Sequence, residues 1–290
     1  MNLKVVFLEL IEKITLRESE DEIRSMALIL MEEVLGISKT DIMAGKVVAM
    51  TTEAEQRLQS YINRINANEP VQYVVGEAWF YGRKFQVNPS VLIPRPETEE
   101  IIRSVLRWRY SPKQTRNNNT PRILDIGTGS GCIPITLSLE WSGAELFATD
   151  ISTAALSVGV GNAERYDAHV SFIEHDILTE DIPVANLDVI TSNPPYVRDS
   201  EKHVMASNVI DFEPRIALFV NDDDPVLFYR NIIRRSIPVL NPGGFLAMEI
   251  NEQFGKEVLS LLVQNGFQEG QIIKDVSGKD RVVTGVQPPR

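Results

Sequence analysis

The feature that most constrains the fold is a regular alternation of short apolar runs and helical stretches from residue 122 onward. Strands are predicted at 122–125, 145–149, 170–173, 188–192, 245–250 and 282–284, with helices between them such as 152–165 and 224–238. Strands that alternate with helices form βαβ units, which place parallel strands in one sheet and helices on its faces. The sequence therefore predicts an α/β domain with a mostly parallel sheet.

Two segments of different character precede this domain. Residues 1–73 show helical periodicity, with capping-box sequences that start at Ser19 and Thr52, and contain 8 basic and 12 acidic residues. Residues 74–94 carry an aromatic cluster between two glycines, which is typical of a β-hairpin. We predict a small helical bundle at 1–73, a hairpin linker at 74–94 and the α/β domain at 95–290, with a polar loop at 111–121.

Composition excludes several classes of function. The single cysteine, Cys132, allows no intrachain disulfide, and the three histidines lack metal-ligand spacing, so we predict no metal site. No apolar run approaches the ~18 residues of a membrane span, and the N-terminus has no signal-peptide pattern, so a cytoplasmic location is expected. The net charge of −11 argues against a direct nucleic-acid partner.

A glycine-rich turn follows the first predicted strand of the α/β domain. After Asp125 come Gly127, Gly129 and Gly131, and glycines let a ligand approach main-chain N–H groups closely. The third glycine comes one residue too soon for the dinucleotide fingerprint G-x-G-x-x-G. Asp125 would repel a pyrophosphate but would attract the sulfonium and ammonium groups of S-adenosylmethionine. We therefore predict an S-adenosylmethionine site here.

Two further aspartates follow the next two strands. Asp150 stands 25 residues after Asp125, near the spacing of a carboxylate that accepts both ribose hydroxyls, and Asp176 is a candidate partner for the adenine amino group. One strand-end aspartate is equally expected in an ordinary turn, but three in succession favour a cofactor site. The predicted cofactor-binding residues are Asp125, Gly127, Thr128, Gly129, Gly131, Asp150, Ile151, Asp176, Ile177 and Asn193.

The fourth strand ends in Asn193-Pro194-Pro195-Tyr196, the sequence NPPY. Two prolines stiffen the turn, and the Asn193 side chain and Pro194 backbone provide two oxygen acceptors. Such a pair can hold both N–H bonds of a flat amide or aromatic amine so that its lone pair faces a methyl donor. We predict Asn193, Pro194 and Tyr196 as catalytic residues, with Tyr196 packed on the substrate group. All four residues of the motif, including Pro195, are predicted to bind the substrate.

With these motifs in place, the chain resembles the HemK-like release-factor glutamine methyltransferases, a protein-(glutamine-N5) methyltransferase family. The resemblance covers most of the chain and includes Pro70–Tyr73, Leu92–Glu99, the glycine turn, NPPY, Glu213-Pro214, Gly243-Gly244 with Glu249, and Asp280-Arg281. It implies a Rossmann-like methyltransferase domain with a seven-stranded sheet behind a helical substrate-recognition domain. It also implies a monomer that methylates the glutamine of a Gly-Gly-Gln loop in release factors and yields S-adenosylhomocysteine.

Some assignments remain open at this point. Arg95 either contacts the substrate or bridges domains, and Glu213 either shapes the glutamine pocket or is a surface carboxylate before proline. A ribosomal-protein glutamine methyltransferase is the nearest alternative, although Pro94–Glu97 favours the release-factor branch. An adenine-N6 or cytosine-N4 methyltransferase of DNA or RNA is a more distant one, and a protein that binds the cofactor without catalysis is a third.

Overall fold

The computed structural model of the protein describes residues 1–111 and 120–288. Most of the loop predicted at 111–121 lies outside these residues. The chain divides into two units, of which the first comprises Met1–Glu77 with Ala206–Phe212 and the second Ala78–Met205 with Glu213–Arg290.

Helices and strands alternate through most of the described chain. The α-helices are α1 (Leu3–Lys13), α2 (Glu20–Leu35), α3 (Lys39–Met43), α4 (Thr52–Asn66), α5 (Val71–Val75), α6 (Glu99–Arg109), α7 (Cys132–Glu140), α8 (Thr153–Arg165), α9 (Ser207–Phe212), α10 (Arg215–Leu218), α11 (Leu227–Ser236) and α12 (Gly255–Gln264). The strands are β1 (Glu77–Phe80), β2 (Arg83–Gln86), β3 (Arg122–Ile126), β4 (Glu145–Asp150), β5 (Val170–Glu174), β6 (Leu187–Ser192), β7 (Val197–Arg198), β8 (Phe219–Val220), β9 (Leu240–Glu249), β10 (Gln268–Lys274) and β11 (Asp280–Val286). Two 3-10 helices cover Pro96–Thr98 and Asp199–Val204.

The first unit is helical, with α1 to α5 contributing one apolar core that includes Leu3, Leu30 and Ile65. Ser19 caps α2 as predicted, since its hydroxyl accepts from the Glu22 amide. The prediction for α4 was wrong by one residue, because Thr51, not Thr52, caps this helix. Either threonine suits the position chemically, and only the backbone conformation decides which one lies outside the first turn.

The second unit contains a seven-stranded sheet with the order β10-β11-β9-β6-β3-β4-β5. The five strands from β9 to β5 are parallel, and β11 pairs antiparallel with both β9 and β10. Successive strand residues face two different cores: Leu124 and Met248 pack with α11 and α12, whereas Ile123 and Ala247 pack with α6 and α7. Burial on both faces explains why these strands are continuous apolar runs.

A second, small sheet is formed by β1 and β2, which pair as the predicted hairpin. Its two-residue turn is Tyr81-Gly82, and both residues have positive φ, as a tight hairpin turn requires. Phe80 and Phe85 are buried in the core beside α6 and α7, while Trp79 is exposed.

The predicted fold class is confirmed, but one strand of the sheet was not identified from the sequence. Strand β10 lies at the sheet edge, is mostly polar and exposed, and contains Gly270. It therefore lacks the apolar pattern by which the other strands were predicted. Within the part of the chain that the structure describes, no helix has the length and apolar character needed to traverse a bilayer.

Candidate active site

The order in which the chain adds strands to the sheet reverses between β3 and β6. From β3 the chain adds β4 and β5 on one side, and later β6 and β9 on the other. Ligands bind in open α/β sheets at such a point, beyond the carboxyl ends of the strands. Because Ile126 pairs with Ser192 in the ladder, the turns that follow these two residues begin next to each other. These are the glycine turn and the NPPY turn.

The glycine turn adopts a conformation that favours glycine. Gly127, Gly129 and Gly131 have φ of 71°, 54° and 76°. The amides of Gly127 and Thr128 donate to the Thr149 carbonyl on β4, which anchors the turn. At Gly131 a Cβ would lie 3.0 Å from Ile135 Cδ1 and 3.3 Å from Gly159 Cα, so this glycine allows α7 and α8 to pack closely.

Asp125 lies beneath this turn and is fully buried. Its Oδ1 accepts a 2.7 Å hydrogen bond from the Thr191 hydroxyl on β6. Burial raises the pKa of Asp125 to about 7, an effect that the nearby hydroxyls of Thr128 and Thr191 oppose and the charge of Asp150 reinforces. A positive ligand above the turn would stabilise the ionised carboxylate.

Asp150 and Asp176 lie at the ends of the next two strands and both line the cavity. Asp150 Oδ2 accepts from the Gly129 amide and Oδ1 from the Ser152 amide, each at 2.9 Å. Burial raises the pKa of Asp150 above its ordinary value, and these amides oppose the rise. Asp176 accepts from the Leu178 amide and the Thr179 hydroxyl, so its carboxylate also caps the following turn.

The NPPY turn is fixed to the sheet from both ends. The Ser192 hydroxyl donates to the Ile126 carbonyl at 2.8 Å, and the Tyr196 hydroxyl donates to Glu249 Oε1 at 2.9 Å. Asn193 Nδ2 donates to the Thr98 hydroxyl at 3.3 Å. Tyr196 thus belongs to a buried polar cluster, and burial beside Glu249 raises the pKa of its hydroxyl.

One cavity of the second unit joins the two turns. The predicted site residues that line it are Arg95, Gly127, Thr128, Gly129, Asp150, Ile151, Asp176, Ile177, Asn193, Pro194 and Pro195. Four other predicted residues are absent from the lining: Asp125, Gly131, Tyr196 and Glu213. Asp125 lies beneath the glycine turn, Gly131 packs against α7 and α8 at the end of that turn, and the Tyr196 hydroxyl points toward Glu249.

Arg95 and Glu213 form an ion pair at the edge of this cavity. The Glu213 carboxylate accepts from the Arg95 guanidinium and from the Ile93 amide, and its side chain is 1% exposed. Glu213 is therefore not a surface carboxylate. It holds Arg95, which lines the cavity, and the segment that enters the 3-10 helix at Pro96.

Several polar residues near the cavity were not predicted as site residues, and Thr98, His175 and Glu249 are among them. Thr98 and His175 line it, and Glu249 accepts from both Thr98 and Tyr196. Burial raises the pKa of Glu249, while those two hydroxyls and Arg281 oppose the rise. Their signal in the sequence was weak, because no local motif marks Thr98 as a site residue and Glu249 is one residue of a predicted strand.

The ring nitrogens of His175 indicate whether the cavity suits a polar cofactor. This histidine is 5% exposed, and neither ring nitrogen has a hydrogen-bond partner among the described residues. Buried polar atoms normally have partners, so a ligand with polar groups would complete this wall. Together with the carboxylate of Asp150 and the exposed Gly127 in the cavity wall, this feature makes the cavity fit a nucleoside with a charged tail.

Comparison with known proteins agrees with this geometry. Residues 13–76 match the family described as PrmC N-terminal domain, and residues 113–213 match the methyltransferase small domain. A methyltransferase from Pyrococcus furiosus has the same fold, with a TM-score of 0.51 at 17% identity over 82% of this chain and 100% of that one. The human methyltransferase 10 domain containing protein also has a TM-score of 0.51, at 16% identity over 83% and 99%.

Relatives with higher identity span nearly the whole chain. Release factor glutamine methyltransferase of Bacteroides thetaiotaomicron is 40% identical over 265 residues, which cover 91% of this chain and 92% of the relative. The enzyme of the same name from Neisseria gonorrhoeae is 38% identical over 237 residues, covering 81% and 83%. The family expected from the sequence is thereby confirmed. This chain belongs to the release factor glutamine methyltransferase family and is an S-adenosylmethionine-dependent methyltransferase.

Proposed function

We propose that this chain methylates N5, the side-chain amide nitrogen, of the glutamine in the Gly-Gly-Gln motif of peptide-chain release factors. The observation that carries the proposal is that Asn193 and Pro194 line the same cavity as Gly127, Gly129 and Asp150. A nitrogen held by the first pair therefore lies beside a ligand held by the second group. The relatives' shared name supports the choice of substrate.

The chemistry explains why two oxygen acceptors are needed. An amide nitrogen is a poor nucleophile because its lone pair is delocalised, with a rotation barrier of ~18–20 kcal/mol as a measure. Asn193 Oδ1 and the Pro194 carbonyl accept hydrogen bonds from the two N–H groups of the substrate amide. They thereby favour the geometry in which the amide nitrogen becomes tetrahedral. Their dipoles stabilise the positive charge that develops on nitrogen, as fixed dipoles do at other reacting centres.

The cofactor-binding residues follow from the same cavity. Asp150 binds the ribose hydroxyls, Asp176 lies on the adenine side with Ile151 and Ile177, and the glycine turn with Asp125 beneath it receives the charged tail. When bound, S-adenosylmethionine supplies an electrophilic methyl group whose carbon–sulfur bond breaks as the nitrogen–carbon bond forms, leaving S-adenosylhomocysteine. The nitrogen becomes acidic only after the transfer and then releases its proton to solvent, so no strong general base is required.

The helical segment at 1–73 recognises the release factor in this proposal, and the enzyme acts as a monomer. The match of residues 13–76 to the PrmC N-terminal domain supports a specialised role for this segment. Hydrogen exchange of the full chain with and without release factor tests it. Protection within residues 1–73 is expected, and protection confined to the second unit would contradict the assignment.

Mass spectrometry tests the activity directly. The protein is incubated with S-adenosylmethionine and, in separate reactions, a release factor, the same release factor with its Gly-Gly-Gln glutamine replaced by glutamate, ribosomal proteins, and DNA or RNA. A gain of one methyl group on that glutamine alone is expected. Methylation only of a ribosomal protein or of nucleic acid would refute the proposed substrate, and no methylation of any of them would refute the proposed reaction.

A further inference from the structure

A chain of hydrogen bonds runs behind the NPPY turn. Asn193 Nδ2 donates to the Thr98 hydroxyl at 3.3 Å, and that hydroxyl donates to Glu249 Oε2 at 2.6 Å. Tyr196 donates to the other oxygen of Glu249 at 2.9 Å. Thr98 is 3% exposed and Glu249 1%, so water does not compete for these bonds. The participants come from the 3-10 helix at Pro96–Thr98, the end of β9 and the turn itself.

The number of available hydrogens determines which group donates and which accepts in each of these hydrogen bonds. An ionised carboxylate only accepts hydrogen bonds, so Glu249 requires a hydrogen from each hydroxyl that contacts it. Thr98 has one hydroxyl hydrogen, and it goes to Glu249. Toward Asn193, Thr98 therefore offers only a lone pair, which a carboxamide can meet only with its NH2 group. Asn193 must then turn Oδ1 away from Thr98.

This direction matters because the two ends of a carboxamide have nearly the same shape. Packing alone does not distinguish Asn193 from its form rotated by 180°, and hydrogen bonds decide between them. In the rotated form the NH2 group would face the cavity and oppose the N–H bonds of a substrate amide. Burial raises the pKa of Glu249, whereas the hydroxyls of Thr98 and Tyr196 and the positive charge of Arg281 favour the ionised carboxylate that this series of hydrogen bonds requires.

We propose that Thr98 and Glu249 are positioning residues that fix the Asn193 carboxamide with its oxygen toward the acceptor amide. This inference rests on the proposed function, because it assigns to Asn193 the role of accepting a substrate N–H bond. It also gives the Pro94–Glu97 segment a structural role, since the 3-10 helix that begins at Pro96 brings Thr98 to Asn193.

Thr98→Val and Thr98→Ser form a matched pair. Valine keeps the shape of threonine without its hydroxyl, whereas serine keeps the hydroxyl. Misplacement of a reacting group by about 1 Å can cost roughly 10²-fold in rate. Steady-state kinetics with S-adenosylmethionine and a release factor should show kcat of T98V reduced roughly 10–100-fold, with the affinity for S-adenosylmethionine close to that of the wild type. The melting temperature should fall, because the buried Glu249 carboxylate loses a hydrogen-bond donor. T98S should retain most of the activity.

Glu249→Gln provides the second variant, in case T98V does not fold. Its carboxamide can donate to Thr98 and thereby reverse the chain, so kcat should fall while S-adenosylmethionine still binds. Effects within one unit are not additive, so a T98V/E249Q double variant should lose little more than either single variant.

The proposal is overturned if T98V or E249Q turns over like the wild type, or if T98S loses as much activity as T98V. It is also overturned if the loss lies in cofactor affinity rather than kcat. The wild type in the same assay distinguishes failure of the proposed function from failure of the positioning role. An inactive wild type means that the proposed function fails, whereas an active wild type with equally active variants means that only the positioning role fails.

Discussion

The backbone amide of Gly129 donates a 2.9 Å hydrogen bond to Oδ2 of Asp150, so the glycine turn and the end of β4 hold each other in place. The same carboxylate lines the cavity. One side chain thus shapes the turn and forms part of the cavity wall.

Replacing Asp150 by asparagine should weaken binding of S-adenosylmethionine. The carboxamide has one acceptor oxygen where the carboxylate has two, and both carboxylate oxygens already accept backbone amides. Hydrogen bonds to charged groups contribute about 1.5–3 kcal/mol, so Kd should rise roughly 10–100-fold by isothermal titration calorimetry. Asp167→Asn is the matched control, since it removes an exposed carboxylate outside the cavity lining. Equal affinities of the two variants would contradict the role of Asp150.

Asp125 should make stability depend on pH in an unusual direction. Burial raises its pKa to about 7, so between about pH 4 and 7 the folded protein holds a proton that the unfolded chain releases. Its contribution is complete below pH 4 and is lost as the pH rises through 7, at about 1.4 kcal/mol per pKa unit. Urea unfolding at pH 5 and pH 8 measures this loss.

The difference between wild type and Asp125→Asn isolates this contribution from that of other groups. The wild type should lose more stability than the variant between the two pH values. Parallel pH profiles would show that Asp125 is ionised in the folded protein throughout. Binding of the positively charged cofactor should oppose the protonation, so its affinity for the wild type should improve as the pH rises.

Asn193→Ala should separate binding from chemistry. Loss of one preorganised hydrogen bond to a reacting centre typically costs roughly 10²–10³ in kcat, and the main cofactor contacts proposed here do not depend on this side chain. Single-turnover methylation of a release factor gives the rate, and calorimetry gives cofactor affinity. Gln264→Ala, which removes an exposed carboxamide on α12, is the control. Near-normal turnover of the Asn193 variant would defeat the two-acceptor mechanism.

Gly131→Ala should destabilise the protein more than Gly278→Ala. Both glycines have positive φ, which costs a residue with a Cβ about 1–2 kcal/mol. Around Gly278 there is open space, whereas at Gly131 the new atom would meet Ile135 and Gly159. Overpacking adds about 1–3 kcal/mol, which chemical denaturation can resolve. Equal losses would mean that α7 shifts without cost.

Much of the second unit could be predicted because its strands are buried on both faces. Their apolar runs stand out, and the carboxyl ends of parallel strands necessarily share one edge, which is why Asp150, Asp176 and Asn193 were expected at one site. Strand β10 was not identified, because an exposed edge strand needs no apolar pattern.

The buried polar cluster behind the NPPY turn could not be predicted in this way. Thr98 and Glu249 are 151 residues apart, and only the packing of the 3-10 helix on the end of β9 makes them partners. Nothing in the local sequence shows that Tyr196 turns its hydroxyl toward Glu249 and not toward the cavity. The donors and acceptors in the series from Asn193 through Thr98 to Glu249 can be assigned only after the three-dimensional contacts are known.

The ladder pair of Ile126 and Ser192 has a consequence for how this enzyme can evolve. The glycine turn and the NPPY turn follow paired residues of neighbouring strands, so in the proposed function the geometry of the sheet sets the distance that the methyl group crosses. Substitutions elsewhere in the chain can then change which protein substrate is bound without changing that distance. A single-residue insertion within either strand would instead shift one turn relative to the other. Such an insertion would abolish methyl transfer although each turn kept its own sequence.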